Sequence, residues 1–295
     1  MTAPDFHRWP AWRQIAAVAG DTQGSASSLG ARGARAVADL ARQMLVVYPA
    51  GVIDAIREAA DFLVSRQPSV APLSNFRNQV YLGSSRDVGQ YVALIGKVAD
   101  QMQQAAPALS AVGASLIEDG YAVMVHSSSA SVRAVLDKAI EQSRFKVVCT
   151  EALPVGEGRA LAADLIASGF SVELLSDTDA MAWVAGVDIV LVGADAIGPG
   201  RVINKVGTAD LAQAAAGEGV PVYIVATVEK VLPEELFNAA LRMATDAGGP
   251  GVGGLSEVVP LSWFEGVVTE EGVLSPGDLS RRATEQIVHP SLRGL

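Results

Sequence analysis

The chain has 295 residues, of which 50% are hydrophobic and 18% charged, and this composition excludes a disordered or fibrous protein. Its 22 basic and 32 acidic side chains give a formal net charge of −10, which argues against an extended nucleic-acid surface because such a surface needs clustered lysine and arginine. A small anionic ligand bound by a few local cations remains compatible with this charge.

The sequence also carries signals about compartment. Its one cysteine, Cys149, cannot form an intrachain disulfide, and the charged start MTAPDFHRWPAW lacks the apolar core of a signal peptide. No stretch reaches the roughly 20 unbroken apolar residues of a membrane helix. These observations predict a cytoplasmic protein with no membrane partner.

Residues 1–118 have apolar positions at helical spacing. Between Arg86 and Glu118 these positions advance by alternating steps of four and three, which predicts one long helix bent at Pro107. Four earlier segments, separated by prolines or glycines, have the same character and cover residues 12–19, 28–47, 52–66 and 73–82. We therefore expect a helical N-terminal subdomain over residues 1–118.

The pattern changes near residue 119 to short β-branched runs that alternate with alanine-rich helical windows. The runs are YAVMV, FKVVCT, SVELL, DIVLVGA and VPVYIVA. Such alternation predicts a parallel sheet covered by helices on both faces, a Rossmann-like α/β domain over residues 119–295. The glycine-rich stretch 247–254 is expected to be a mobile loop, and the tail from Ser275 a weakly structured segment or an interface arm.

Ligands of such sheets bind outside the carboxyl ends of the strands, so the residues after each run are the candidate site residues. After the first run come His126, Ser127, Ser128 and Ser129. Three hydroxyls at a helix N-terminus, with free amides and the positive end of the helix dipole, suit an anion. A serine that only caps the helix and a histidine that only satisfies the core fit the pattern equally well.

The second run is followed by two carboxylates. Glu151 is a candidate acid, base or binding residue, and Glu157 is either functional or a capping charge in the first turn of a helix. Cys149 lies within the run itself, where both faces of the sheet are covered, and is therefore predicted to be a core residue, not a nucleophile.

Asp195 is the strongest single candidate in the sequence. It stands where a hydrophobic strand ends, in the kind of cleft that shifts a carboxyl pKa, although an Asx turn would also explain it. Asn204 and Lys205 precede a later helix, and Lys230 follows the last run. Two lysines at adjacent strand ends suit a phosphate or carboxylate ligand. No zinc or P-loop motif is present, and no cofactor or metal is expected.

These residues carry a resemblance to a known superfamily, which contains the alpha, beta and delta subunits of translation initiation factor 2B, methylthioribose-1-phosphate isomerase and ribose-1,5-bisphosphate isomerase. The most specific part is GADAIGPGRVINKVGT, residues 193–208, which is similar to the family's GAD-x-I and NK-x-GT elements. Weaker matches are RQPSVAPLSN, which starts at Arg66, His126 with Ser129, EALPVGEG from Glu151, and VTEEG from 268.

The resemblance implies a sugar-phosphate pocket at the strand ends and a dimeric protein. In the family's isomerases a cysteine and an aspartate flank the sugar; Asp195 matches the aspartate, whereas Ser127 stands at the position of the cysteine. A hydroxyl relays a proton near neutral pH far less readily than a thiol. Leu153 and the stretch Gln23-Gly24-Ser25 replace two arginine-containing elements, so cationic phosphate anchors are missing.

Two functions from different classes follow. The first is an isomerase that interconverts an aldose 1-phosphate and a ketose 1-phosphate, with Asp195 as the acid that opens the furanose ring and Ser127 at the relay position. Its expected substrate-binding residues are Arg66, His126, Ser128, Ser129, Glu151, Asn204, Lys205 and Lys230. The second is a non-catalytic, initiation-factor-2B-like regulatory protein that binds a phosphorylated sugar or nucleotide. Asp195 favours the first function, and Ser127 with Leu153 favours the second.

Overall fold

The N-terminal part of the chain is helical in the computed structural model, which describes residues 4–84, 86–246 and 255–294. Its helices are α1 Pro10–Ala19, α2 Ala26–Val47, α3 Val52–Arg66, α4 Ala71–Gly83 and α5 Val88–Ala114. All five correspond to predicted segments. The long helix ends at Ala114, before the predicted Glu118, and Pro107 lies inside it without ending it.

A seven-stranded sheet forms the centre of the remaining chain. Its strands are β1 Ala122–His126, β2 Lys146–Thr150, β3 Ser171–Leu175, β4 Ile189–Val192, β7 Val222–Val225, β9 Gly266–Thr269 and β10 Gly272–Leu274. The spatial order is β10-β9-β7-β4-β1-β2-β3, and every neighbouring pair is parallel except β9 with β10. From β3 to β9 this is the Rossmann strand order, as the sequence predicted.

Helices cover both faces of this sheet. They are α6 Ala130–Ala139, α7 Glu157–Ala167, α8 Asp177–Trp183, α9 Thr208–Glu218 and α11 Pro276–Glu285, while α10 Glu234–Asp246 packs against the strand Ala196–Gly198 and α4. Because successive strand residues face opposite sides, Met124 packs towards α8, α9 and α11, whereas Val123 and Val125 pack towards α5, α6 and α7. Cys149 belongs to the second core, where burial raises the pKa of its thiol to about 12. It is a core residue, as predicted.

Two features differ from the sequence prediction. A second, antiparallel sheet is formed by β5 Ala196–Gly198, β6 Arg201–Lys205 and β8 Ser256–Pro260. Local patterning did not reveal it, because β5 is very short and β8 joins from a distant part of the chain. The tail from Ser275 is not weakly structured: Ser275 caps α11, which buries Leu279 and Ala283. The predicted loop at 247–254 lies outside the described residues.

Helix α5 connects the helical part to the sheet. It packs against α2 on one side and against α6 and β9 on the other. Its buried residues belong to both cores, with Ile95 in the N-terminal core and Leu109 in the core beside the sheet. The division into two domains near residue 118 stays a prediction.

The start of α7 lies directly against the end of β2. A Cβ atom at Gly158 would stand 1.8 Å from the carbonyl oxygen of Thr150, so any side chain there forces the backbone apart. The Gly158 amide also donates to the Glu151 carbonyl at 3.2 Å. This close approach fixes the first turn of α7 over the end of the strand.

Gly158→Ala is therefore expected to lower the free energy of unfolding by about 1–3 kcal/mol, because the backbone must shift to admit the methyl group. Gly217→Ala in α9 is the matched control, since its Cβ meets nothing within 4 Å, and it is expected to stabilise by roughly 0.5–1 kcal/mol. Urea denaturation followed by circular dichroism measures both. Equal stabilities for the two variants would contradict the close approach.

Candidate functional site

A cavity of about 360 Å³ opens at the carboxyl ends of β1 and β4. This is the switch point of the sheet, where strands are added on opposite sides and loops leave an opening. The predicted residues that line it are His126, Ser127, Ser128, Ser129, Asp195, Asn204, Lys205 and Lys230. The fold thus brings together residues that are far apart in sequence.

Two predicted binding residues do not reach this cavity. Arg66 ends α3, where its guanidinium lies 5.6 Å from the centre of the Phe62 ring. The Glu151 carboxylate accepts hydrogen bonds from Arg159 at 2.9 and 3.1 Å. Neither side chain lines the cavity, so this geometry gives their predicted roles no support.

The loop after β1 presents the N-terminus of α6 to the cavity. Ser127 has a φ of 66°, a left-handed conformation that is uncommon outside glycine and typical of functional sites. Ser129 caps α6 by accepting from the Val132 amide at 3.4 Å. Gly193 allows this arrangement, because a Cβ there would lie 2.7 Å from the Ser129 hydroxyl oxygen. The first amides of α6, which have no acceptor within the helix, border the same space.

A second helix N-terminus faces the cavity from the helical part of the chain. Ser25 caps α2 by accepting from the Ser28 amide, and Ser25, Ala26 and Ser27 line the cavity. The hydroxyl of Ser27 is enclosed and has no hydrogen-bond partner. Two positive helix ends on one cavity favour an anionic ligand. Sequence analysis named Ser25 only as part of the stretch that replaces an arginine-containing element and missed Ser27, although a run of serines before a helix is a recognisable signal.

His126 has a structural role. Its Nε2 lies 2.8 Å from the Val206 carbonyl oxygen, which can only accept, so Nε2 carries the proton. Its Nδ1, at 2.7 Å from Thr150 Oγ1, then accepts from that hydroxyl. Burial lowers the pKa of the ring and favours the neutral form. Both nitrogens are satisfied within the protein, so the ring shapes the cavity wall and offers no nitrogen to a ligand.

Asp195 combines access with a perturbed environment. Many protein atoms lie near its carboxyl group, although the residue as a whole is exposed at the cavity. The resulting loss of water raises the pKa of this carboxyl, and the charge of Lys230 and a hydrogen bond from the Ser256 hydroxyl, at 3.3 Å, act in the opposite direction. The carboxyl group of Asp195 therefore holds its proton more readily than that of a free aspartate.

Each cavity lysine is close to a carboxylate. Lys230 is enclosed and donates to the Ala194 carbonyl oxygen at 2.7 Å, and its charge interacts with Asp195. Burial lowers the pKa of Lys230, while Asp195 and Glu229 counteract this effect. Lys205 Nζ lies 2.9 Å from Glu157 Oε2 without hydrogen-bond alignment. The two lysines therefore compensate acidic groups and are not free phosphate anchors.

Glu157 is a cavity side chain whose role the sequence left open. As the first residue of α7 it enters the cavity wall, where the Ser127 hydroxyl donates to Oε2 at 3.0 Å. The same oxygen contacts Lys205. The sequence alternatives were a functional carboxylate or a capping charge, and only the fold shows that Glu157 meets Ser127 and Lys205.

A second cavity, of about 590 Å³, lies between α4, α5 and the loop that begins VTEEG. Its acidic wall contains Glu229, Glu270 and Glu271, and Arg282 pairs with Glu271 at 2.6 and 3.0 Å. Burial, with the nearby charge of Glu229, raises the pKa of Glu270 to about 7. Among the described residues, no group of His, Cys, Asp and Glu is arranged to hold a metal ion.

The raised pKa of Glu270 makes stability depend on pH. The ordinary pKa of a glutamate is 4.5, and that of Glu270 in the folded state is about 7. Between these pH values the folded state holds a proton that the unfolded state releases, so the free energy of unfolding falls as pH rises. Glu270→Gln removes the buried carboxylate that is unfavourable at high pH. After allowance for solvent screening, its free energy of unfolding at pH 8 is expected to exceed that of the wild type by about 1–2 kcal/mol. This difference should shrink towards pH 4.5. Urea denaturation at both pH values checks this, with Glu265→Gln, an exposed glutamate, as the control. A difference that is independent of pH would contradict the assignment.

No described helix has the length and apolar character needed to span a membrane.

Comparisons with known proteins agree with this architecture and place the site in a family context. The chain is 33% identical over 256 residues to a translation initiation factor eIF-2B subunit 2-like protein of Pyrococcus horikoshii, covering 85% of this chain and 91% of the relative. It is 29% identical over 276 residues to ribose 1,5-bisphosphate isomerase of Archaeoglobus fulgidus, covering 84% and 87%. The crystal structure of translation initiation factor eIF-2B from P. horikoshii OT3 superposes with a TM-score of 0.69 at 27% identity, covering 94% of this chain and 99% of that one. The model of the initiation factor 2 subunit family matches residues 22–247. The chain therefore belongs to the initiation factor 2 subunit family.

Proposed function

We propose that this protein is a sugar-phosphate isomerase that interconverts an aldose 1-phosphate and a ketose 1-phosphate. The observation that carries the proposal is Asp195, a carboxyl group with a raised pKa that opens into a cavity bordered by two helix N-termini. The resemblance to ribose 1,5-bisphosphate isomerase supports this reaction class.

The phosphate is held by amides and hydroxyls, because the lysines are already compensated. The N-terminus of α6, with Ser128 and Ser129, and that of α2, with Ser25 and Ser27, supply donors to an anion. The Ser27 hydroxyl has no hydrogen-bond partner within the protein, and an acceptor on the ligand would satisfy it. Asn204 lies deeper and donates to the Thr208 hydroxyl at 3.0 Å, which fixes the loop before α9.

Asp195 acts as the general acid that protonates the ring oxygen when the furanose opens. A carboxyl group does this best when its pKa is near the working pH, and the loss of water around Asp195 shifts its pKa in that direction. The charge of Lys230, whose ammonium donates to the Ala194 carbonyl, acts against this shift.

Asp195→Asn is expected to reduce turnover by about 100-fold to 10,000-fold, since an amide keeps the shape but has no proton to transfer. Isomerisation of ribose 1-phosphate, ribose 1,5-bisphosphate and methylthioribose 1-phosphate measures the effect. The shift in melting temperature caused by the same ligands shows whether binding survives. Asp137→Asn, an exposed aspartate paired with Arg133 on α6, is the control. Full activity in Asp195→Asn would exclude it as the acid.

A second candidate function is a regulatory protein that binds a phosphorylated sugar or nucleotide without turnover. The observation in its favour is that Ser127 occupies the position expected for a thiol and that both cavity lysines have internal partners. Ligand-induced stabilisation by a sugar phosphate or nucleoside monophosphate, with no wild-type turnover on any of the three sugar phosphates, would establish this alternative.

A cytoplasmic homodimer completes the proposal. It follows from the sequence resemblance and from the translation and sugar-phosphate names of the relatives. Light scattering coupled to size-exclusion chromatography gives the mass in solution directly.

A further inference from the structure

We infer that Glu157 is the base that moves the proton between C2 and C1 of the sugar, with Ser127 as its hydrogen-bonded neighbour. This inference rests on the proposed isomerase function and adds the group that this function still lacks. An acid at Asp195 can open the ring, but the carbon-bound proton needs a base of its own. A serine hydroxyl does not accept a carbon-bound proton near neutral pH.

Glu157 has the geometry of such a base. Its Oε2 atom accepts from the Ser127 hydroxyl at 3.0 Å and lies 2.9 Å from Lys205 Nζ. Its side chain is 36% exposed and lines the cavity, so the carboxylate is reachable by a ligand, whereas the side chain of Lys205 is only 7% exposed. The hydrogen bond from Ser127 and the charge of the nearby Lys205 orient the carboxylate.

The loop before α7 fixes Glu157 in this position. The amides of Ala152 and Leu153 donate to the carboxylate of Asp177 at 2.8 and 2.9 Å. Ala152 has a φ of 56°, and Gly158 touches the Thr150 carbonyl so closely that no side chain fits. A loop held this tightly places the carboxylate with the precision that proton transfer requires.

The two carboxylates of the cavity have contrasting environments. Nearby protein atoms raise the pKa of Asp195, although the residue is exposed at the cavity, and the negative charge of Glu157 adds to that rise. Glu157 lies beside an ammonium and a hydroxyl, both donors to a carboxylate.

The reaction then balances with these two groups alone. Glu157 takes the proton from C2, the C2–H electron pair becomes the second bond between C1 and C2, and the C1–O4 pair leaves with the ring oxygen, which takes the proton of Asp195. Glu157 then returns its proton to C1, while the O2 hydroxyl gives its proton to Asp195 and C2 becomes a carbonyl. C1 is reduced and C2 oxidised within one molecule, so no external oxidant or reductant is needed.

The test is conversion of the three sugar 1-phosphates in D₂O by the wild type, Glu157→Gln, Glu157→Asp and Glu173→Gln. Glu173 is the matched control, because it pairs with Lys146 away from the cavity. We expect Glu157→Gln to lose about 100-fold to 10,000-fold in turnover and Glu157→Asp to recover part of it. Because Glu157 is partly exposed, its proton exchanges with solvent, and the wild-type ketose should carry deuterium at C1.

The readouts separate the possible failures. Wild-type turnover with no solvent deuterium at C1, or undiminished turnover in Glu157→Gln, overturns Glu157 as the base and leaves the isomerase function standing. Equal losses of turnover and of ligand-induced melting shift in Glu157→Gln, without rescue by aspartate, show a purely structural partner of Lys205 and also overturn the inference. A wild type that turns over none of the three sugars removes the proposed function and this inference together.

Discussion

The position of every functional group depends on one topological constraint, the reversal of strand order between β1 and β4. Successive strands are added on opposite sides of this point, so the loops that follow β1 and β4 leave a gap above the carboxyl ends of the strands. The chain after β1 supplies Ser127 and the N-terminus of α6, and the chain after β4 supplies Asp195. The hairpin of β5 and β6 returns Lys205 to the same gap, so these three segments line one cavity together with α2.

Charge compensation then decides what the cavity can do. In a protein of net charge −10, two nearly enclosed lysines would be expected to serve a phosphate, but each is already matched by a carboxylate nearby. An ammonium removed from water needs such compensation, because desolvation opposes its charge. The consequence is a site with little net charge whose attraction for anions comes from helix ends and hydroxyls. The two carboxylates are those to which we assign the acid role, Asp195, and the base role, Glu157.

The same arrangement explains how a member of this family can differ at the thiol position and still keep a chemically equipped site. Ser127 has a left-handed backbone conformation at the end of β1, and its hydroxyl donates to Glu157. The carboxylate of Glu157 is a stronger base than a serine hydroxyl near neutral pH. Under the proposed mechanism, the proton-accepting group therefore lies on α7 and no longer on the loop after β1, within the same cavity.

The sequence by itself determined the helical first part, the parallel sheet, the family and eight of the cavity residues. Periodicity of 3.6 or 2 residues is a local property, and the rule that ligands bind at strand ends selects Asp195, Lys205 and Lys230 without coordinates. The tertiary structure alone decided which of these side chains meet. It showed that Glu157 joins Ser127 and Lys205, that both lysines are compensated, and that Arg66 and Glu151 lie elsewhere. Pairing between distant segments depends on how helices and strands pack, and no local pattern encodes a distance between residues that are far apart along the chain.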